Sequence, residues 1–183
     1  MSTTMPPEAA QDAVRLEARL PLDWVEAIPP DTALADVMAD NAMLLRALMM
    51  LDEPLAGGDA GRVDAVQQLE RRLDLLLLMT SSALRGLQPL PAAHPCVLSA
   101  RQLLWSDGVA IGAGRHVWAR VFLRQRIPLP LLLPGQIVEE SVEQQALWHR
   151  MVFEPLDAEL QDELERFVFR HHRRQVARQR AAR

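Results

Sequence analysis

The chain has 183 residues, 49% apolar and 24% charged, which is enough to bury a core and unlike a disordered chain. Its net charge is −4, all 20 basic residues are arginine, and there is no lysine and no tyrosine. These absences exclude a lysine-type phosphate loop, a Schiff-base lysine and tyrosine catalysis, while a single cysteine excludes an internal disulfide and a cysteine-rich metal centre.

Residues 1–13 read as a flexible leader, lacking the basic and apolar regions of a signal peptide. Leu20, Leu22 and Trp24 then alternate with Pro21, Asp23 and Val25, which predicts a strand kept near an edge by Pro21. Pro29 and Pro30 stop it, and Asp31 or Thr32 is expected to cap a helix. In that helix Leu34, Val37, Asn41, Leu44, Leu48 and Leu51 follow the 3–4 rhythm of a coiled coil, beside a second stripe of Met38, Ala42, Leu45 and Met49. A break with Pro54, Gly57, Gly58 and Gly61 leads to another helix, where Val66, Leu69, Leu73, Leu76, Thr80, Ala83 and Leu87 repeat the rhythm. Residues 31–88 therefore read as a long helical hairpin with more apolar face than one small domain covers. An oligomer interface through Leu34, Val37, Asn41, Leu44, Leu48, Val66, Leu69, Leu73, Leu76 and Thr80 is the expected use of that surplus. Asn41 has two readings: a register-setting polar residue in the seam, or an asparagine facing solvent at the hairpin's edge.

From about residue 94 the pattern changes to strands. CVLSARQLLW precedes the turn signal Ser106-Asp107-Gly108. HVWARVFLR alternates Val117, Ala119, Val121 and Leu123 with Trp118, Arg120, Phe122 and Arg124. IPLPLLLPG places prolines on one face, which demands an edge or a barrel lip, and QIVEESV and ALWHRMVFEPL supply further short strands. Asp157 is expected to cap a last helix with Leu160, Leu164, Phe167 and Val168 as its apolar face. The expected fold is α+β: a small antiparallel β-barrel with an inserted helical hairpin and a C-terminal helix. Residues 14–30 and 89–183 would form the barrel unit and 31–88 the oligomerisation insertion.

Charge is uneven. Residues 166–183 carry seven arginines and no acid, leaving −11 on residues 1–165. The arginine tail reads as a solvated helix end, as a contact with the acidic body or a protein partner, or as a nucleic-acid arm. The last is disfavoured because an acidic body repels phosphate.

No catalytic constellation is visible. GGDAG at 57–61 follows a helix, not a strand, and has no lysine, so it reads as an interhelical loop. His94, His116, His149, His171 and His172 lack zinc-helix spacing, so no metal is expected. There is no G-x-S-x-G, and Cys96 reads as a small buried hydrophobe. The chain is expected to be cytoplasmic, without a membrane span and without enzymatic activity.

VLSARQLLW, LPLPLLLPGQIV, and WHRMVFEPL leading into DELERFVFRHHRRQ resemble, in that order, the PilZ family of bacterial cyclic di-GMP signalling. With ARLPLDWVEAI as first strand, the resemblance covers about two thirds of the chain, and the helical insertion resembles the atypical subgroup that forms tetramers through heptad helices. It implies a ligand site with two parts, R-x-x-x-R before the first strand and [D/N]-x-S-x-x-G on the next. Arg15 and Arg19 match the first part, although R-x-x-x-R occurs five times in this chain. Only Ser99 remains of the second, with Val97 at the Asp/Asn position and Gln102 at the glycine. Unpartnered ligand edges cost ~1–3 kcal/mol each, so cyclic di-GMP is expected to bind weakly or not at all, and no other cofactor is expected. The implied function is a non-enzymatic signalling adaptor that self-associates, most simply as a homotetramer, and contacts another signalling protein. The alternative is a true cyclic di-GMP receptor working through Arg15, Arg19 and Ser99.

Overall fold

The computed structural model describes residues 14–28, 32–51, 89–124, 127, 129–143 and 145–181, together with Leu69, Leu73, Leu76 and Thr80. Six antiparallel strands close into a barrel: β1 (Leu16–Val25), β2 (Ala93–Leu98), β3 (Gln102–Trp105), β4 (His116–Val121), β5 (Leu131–Glu143) and β6 (Ala146–Phe153), in the order β1-β2-β3-β6-β5-β4. Helix α1 (Leu34–Leu51) enters between β1 and β2, and helix α2 (Ala158–Ala181) follows β6.

Alternation sets the interior. Val117, Ala119 and Val121 of β4 and Leu131, Leu133 and Ile137 of β5 are almost wholly buried, as a period of two requires. One core runs from these residues into α1 and into the Leu160, Leu164, Phe167 and Val168 face of α2. Asp157 caps α2 as expected, its Oδ1 accepting from Leu160 N–H at 2.7 Å. Helix α1 begins differently: Ala33, not Thr32, supplies the first carbonyl, to Val37 N–H at 3.2 Å, and Asp31 lies outside the described residues.

Strand boundaries also depart from the pattern. CVLSARQLLW is two strands joined at Ser99-Ala100-Arg101, and Pro134-Gly135 lies inside β5 although such a pair commonly turns a chain. Pro134 is tolerated because β6 pairing begins only at Gly135, and beside it Glu154 N–H uses just its carbonyl, at 3.0 Å. Gly135 is needed for close approach, since a Cβ there would lie 2.5 Å from the Val152 carbonyl oxygen and 2.8 Å from Met151 Cγ. Gly135→Ala is expected to cost ~1–3 kcal/mol, read as a fall in Tm.

Pro21 marks another exchange of partners. Leu16 to Pro21 pair with β2, and Leu22 to Val25 pair with β4. Each half of β1 thus has one side without a strand, and the same holds for β5 at Leu132. Helical amides fill two of these gaps. Asn41 of α1 donates to Leu132 O at 2.6 Å and accepts from Leu132 N–H at 2.9 Å. Gln175 of α2 donates to Glu17 O at 2.6 Å and accepts from Glu17 N–H at 3.4 Å. Each side chain imitates the peptide group of a missing strand.

Asn41 therefore takes neither of its two expected roles: it is buried and bonded to the barrel of its own chain. Val37, Leu44 and Leu48 are likewise buried within the protomer, while Leu34 stays 54% exposed. Packing of α1 against α2 and β5 buries the middle of both apolar stripes and leaves Leu34 and Leu51 at the ends exposed. In a seam Asn41→Leu would raise stability; here it is expected to lower it by ~1–3 kcal/mol for each peptide group of Leu132 left unpaired. Chemical denaturation measures the difference.

The second stripe behaves otherwise. Leu69, Leu73, Leu76 and Thr80 are helical, and the three leucines are 50–58% exposed. Thr80 Oγ1 donates to Leu76 O at 2.7 Å, one turn back. Val66 lies outside the described residues, as does the leader at 1–13.

Candidate functional site

The Leu16↔Leu98 register sets Ser99 level with Arg15, whereas Arg19 is level with Pro95. Four residues of extended chain, about 13 Å, separate the two arginines. Arg15 Nε donates to Glu17 Oε1 at 2.9 Å, and Arg19 Nη2 donates to Ala93 O at 2.9 Å. Ser99 is buried in the β2–β3 turn: its Oγ accepts from Arg101 N–H at 3.2 Å and Gln102 N–H at 3.1 Å, and donates to Gln102 O at 3.3 Å. Its hydroxyl is a turn clasp. Gln102 opens β3 without a positive φ, so its backbone needs none of glycine's freedom.

A cavity of about 210 Å³ opens on the outside of β1 and β2, walled by Glu17, Arg19, Val97, Trp148 and Gln175 among others. Arg19 is the one expected ligand residue on its wall; Arg15 and Ser99 are elsewhere, so the three do not converge. Val97 is buried there in a small cluster with Leu104 and Trp148, and presents methyls. Cys96 also touches the cavity, but burial pushes its thiol up to about 12 despite a backbone hydrogen bond, so it is no nucleophile at neutral pH. The volume falls below the ~300 Å³ at which small-molecule sites begin.

The arginine tail is partly docked. α2 is helical through Ala181, and His172 Nδ1 lies 3.1 Å from Arg15 O, one turn before the Gln175 clasp. Contact with the body is thus the geometry of the helix's middle turns, while Arg178 and Arg180 remain exposed. Removing residues 173–183 would therefore strip β1 of the Gln175 bonds.

Sequence reasoning missed a buried polar network. His149 on β6 is fully buried, with Nδ1 2.9 Å from Glu140 Oε1 and Nε2 3.0 Å from Asp107 Oδ1. Both ring nitrogens lie within hydrogen-bond distance of carboxylate oxygens. Glu140 also accepts from Ile111 and Gly112 N–H at 2.8 and 3.1 Å, and Asp107 from Val109 N–H and Trp105 Nε1 at 3.0 and 3.2 Å. Burial alone would raise the Asp107 pKa, but the bonds from His149, Val109 and Trp105 outweigh it and hold the carboxyl at about 2. Glu140 is lowered in the same way, burial being outweighed by Ile111, Gly112 and His149. The network ties the loop after β3 to the barrel. No nucleophile joins it, and among the described residues no group of histidines, cysteines and carboxylates has metal-binding geometry. The sequence signal available was the cross-strand pair Glu140↔His149, visible only once register is known.

A family model described as the atypical PilZ domain, cyclic di-GMP receptor, matches residues 45–181. The chain belongs to the atypical PilZ domain family. A crystal structure of a pathogenic protein from Xanthomonas campestris, described as a new tetrameric PilZ domain self-assembled via an unusual helical bundle, shares 27% identity with a TM-score of 0.69. The match covers 91% of this PilZ chain and 92% of that one. The Bacillus subtilis inhibitor of motility matches at 13% identity and a TM-score of 0.38, over 46% of this chain and 42% of its own. No curated protein matches. Among the described residues, no helix of this PilZ domain is long and apolar enough to cross a membrane.

Proposed function

We propose that the protein is a non-enzymatic adaptor of cyclic di-GMP pathways in the cytoplasm, assembled as a homotetramer through its helical insertion at 31–88, with a nucleotide site too degenerate to bind tightly. The observation that carries this reading is that the side chains in the nucleotide positions do not converge on one site. Ser99 is spent on its own turn, and of the three only Arg19 lines the cavity. Val97 offers nothing to accept a guanine hydrogen bond. The exposed Leu69, Leu73 and Leu76 support assembly, as does likeness to a PilZ protein described as self-assembled via a helical bundle. Such an assembly would present several copies of one barrel surface to a signalling protein.

A second reading, a true receptor using Arg15, Arg19 and Ser99, is favoured by the family's description as a cyclic di-GMP receptor and by Arg19 on the cavity wall. Calorimetric titration with cyclic di-GMP separates the two. The wild type is expected to give no heat or weak binding, and tight wild-type binding establishes the receptor. Gain of binding in the Val97→Asp, Gln102→Gly double variant, abolished by Arg19→Ala, marks a decayed receptor. A folded but silent double variant leaves the adaptor alone.

A further inference from the structure

A second, larger depression of about 530 Å³ lies on the other side of the β2–β3 turn, between that turn and α2. Its size falls within the range of clefts that take ligands and peptide side chains. Val14, Ala100, Val168 and Phe169 give it an apolar lining, and Phe169 is 50% exposed. Its charged wall is Arg101, Arg166 and Glu165. Arg101 is exposed on the turn, and the Arg166 side chain is 66% exposed although it reaches Glu163 at 3.3 Å. The Arg173 guanidinium stands over the Phe169 ring, 5.8 Å from its centroid. An exposed aromatic ring under one guanidinium, in a groove with two more arginines, is the composition of an interface hot spot.

We infer that this groove docks an acidic protein segment carrying one apolar anchor. The anchor would sit on Phe169 beside Val14, and flanking carboxylates would pair with Arg101, Arg166 and Arg173. Charge selects the partner: the groove lies on the +7 end of a chain whose remainder carries −11, so acidic segments are steered to this face. A nucleic-acid occupant fits less well, because there is one aromatic platform, a carboxylate in the wall, and an acidic body beside it. A lipid surface is disfavoured by the concave shape. The groove shares α2 with the smaller cavity but none of its lining residues, so the inference goes beyond the nucleotide question.

The test pans an unbiased dodecapeptide phage library on the immobilised full chain, then titrates fluorescein-labelled selected peptides by fluorescence polarisation. The expected consensus is Asp and Glu around one Leu, Met or Phe. Phe169→Ala and Arg101→Glu are each expected to weaken the selected peptide at least about tenfold, with unchanged circular dichroism because both side chains are exposed. Leu73→Asp, on the helical stripe, is expected to bind the peptide as wild type does. No enrichment, a consensus without acids, or wild-type affinity in Phe169→Ala and Arg101→Glu would overturn the inference. So would loss of binding in a folded Leu73→Asp protein, or tighter binding to duplex DNA or phosphatidylserine vesicles titrated alongside.

Discussion

Replacing His149 by alanine is expected to cost about 1–3 kcal/mol, because it removes the ring that bonds both Asp107 and Glu140 and leaves two half-buried carboxylates without that partner. The same change empties the space beneath Trp105, whose ring centroid lies 5.0 Å from that of His149. Urea denaturation measures the loss; a change under about 1 kcal/mol would mean the network carries no stability. Acid gives an independent reading. Asp107 sits at about 2 in the folded chain against an ordinary value of 3.8, so its contribution is present above pH ~4 and is lost as pH falls towards 2. Glu140, lowered from 4.5, adds to the same slope. Asp107→Asn is expected to flatten the stability profile over that window.

Leu73→Asp and Leu44→Asp are expected to fail in opposite ways. Leu44 is 2% exposed inside its own protomer, so an aspartate there buries a charge in the core, costs more than about 4 kcal/mol and unfolds the chain. Leu73 is 50% exposed in the single chain, so an aspartate leaves the protomer folded. In an assembly that buries Leu69, Leu73 and Leu76, each leucine contributes ~1.5–3 kcal/mol, and one buried carboxylate is enough to dissociate it. Circular dichroism with light scattering distinguishes the pair: folded and smaller for Leu73→Asp, unfolded for Leu44→Asp. A Leu73→Asp protein of unchanged mass would remove the stripe from the interface.

The barrel was legible where a single physical rule governs. Val117, Ala119 and Val121 are buried while His116, Trp118 and Arg120 alternating with them are not, and Asp157 caps α2 with its own side chain. Legibility ended where two rules give the same pattern. The rhythm of Val37, Asn41, Leu44 and Leu48 is the same whether the helix faces another copy or its own barrel. Only the unpaired peptide of Leu132 decides for the barrel. Pro134-Gly135 has the composition of a turn, yet the Val152 carbonyl needs that glycine beside it in the strand. At the candidate site, the PilZ resemblance implies Arg15, Arg19 and Ser99, but local hydrogen bonds decide what their side chains do. The His149 network could not be read from sequence at all, since its partners stand 9 and 42 residues away and meet only across β3, β5 and β6.

In the proposed adaptor the helical insertion holds the assembly whether or not cyclic di-GMP is present. Light scattering of the wild type at micromolar concentration, with and without saturating cyclic di-GMP, measures that directly. The expected result is a mass near four times the 20.6 kDa of one chain, unchanged by the nucleotide. A 20.6 kDa monomer, or a mass that shifts when cyclic di-GMP is added, would contradict it.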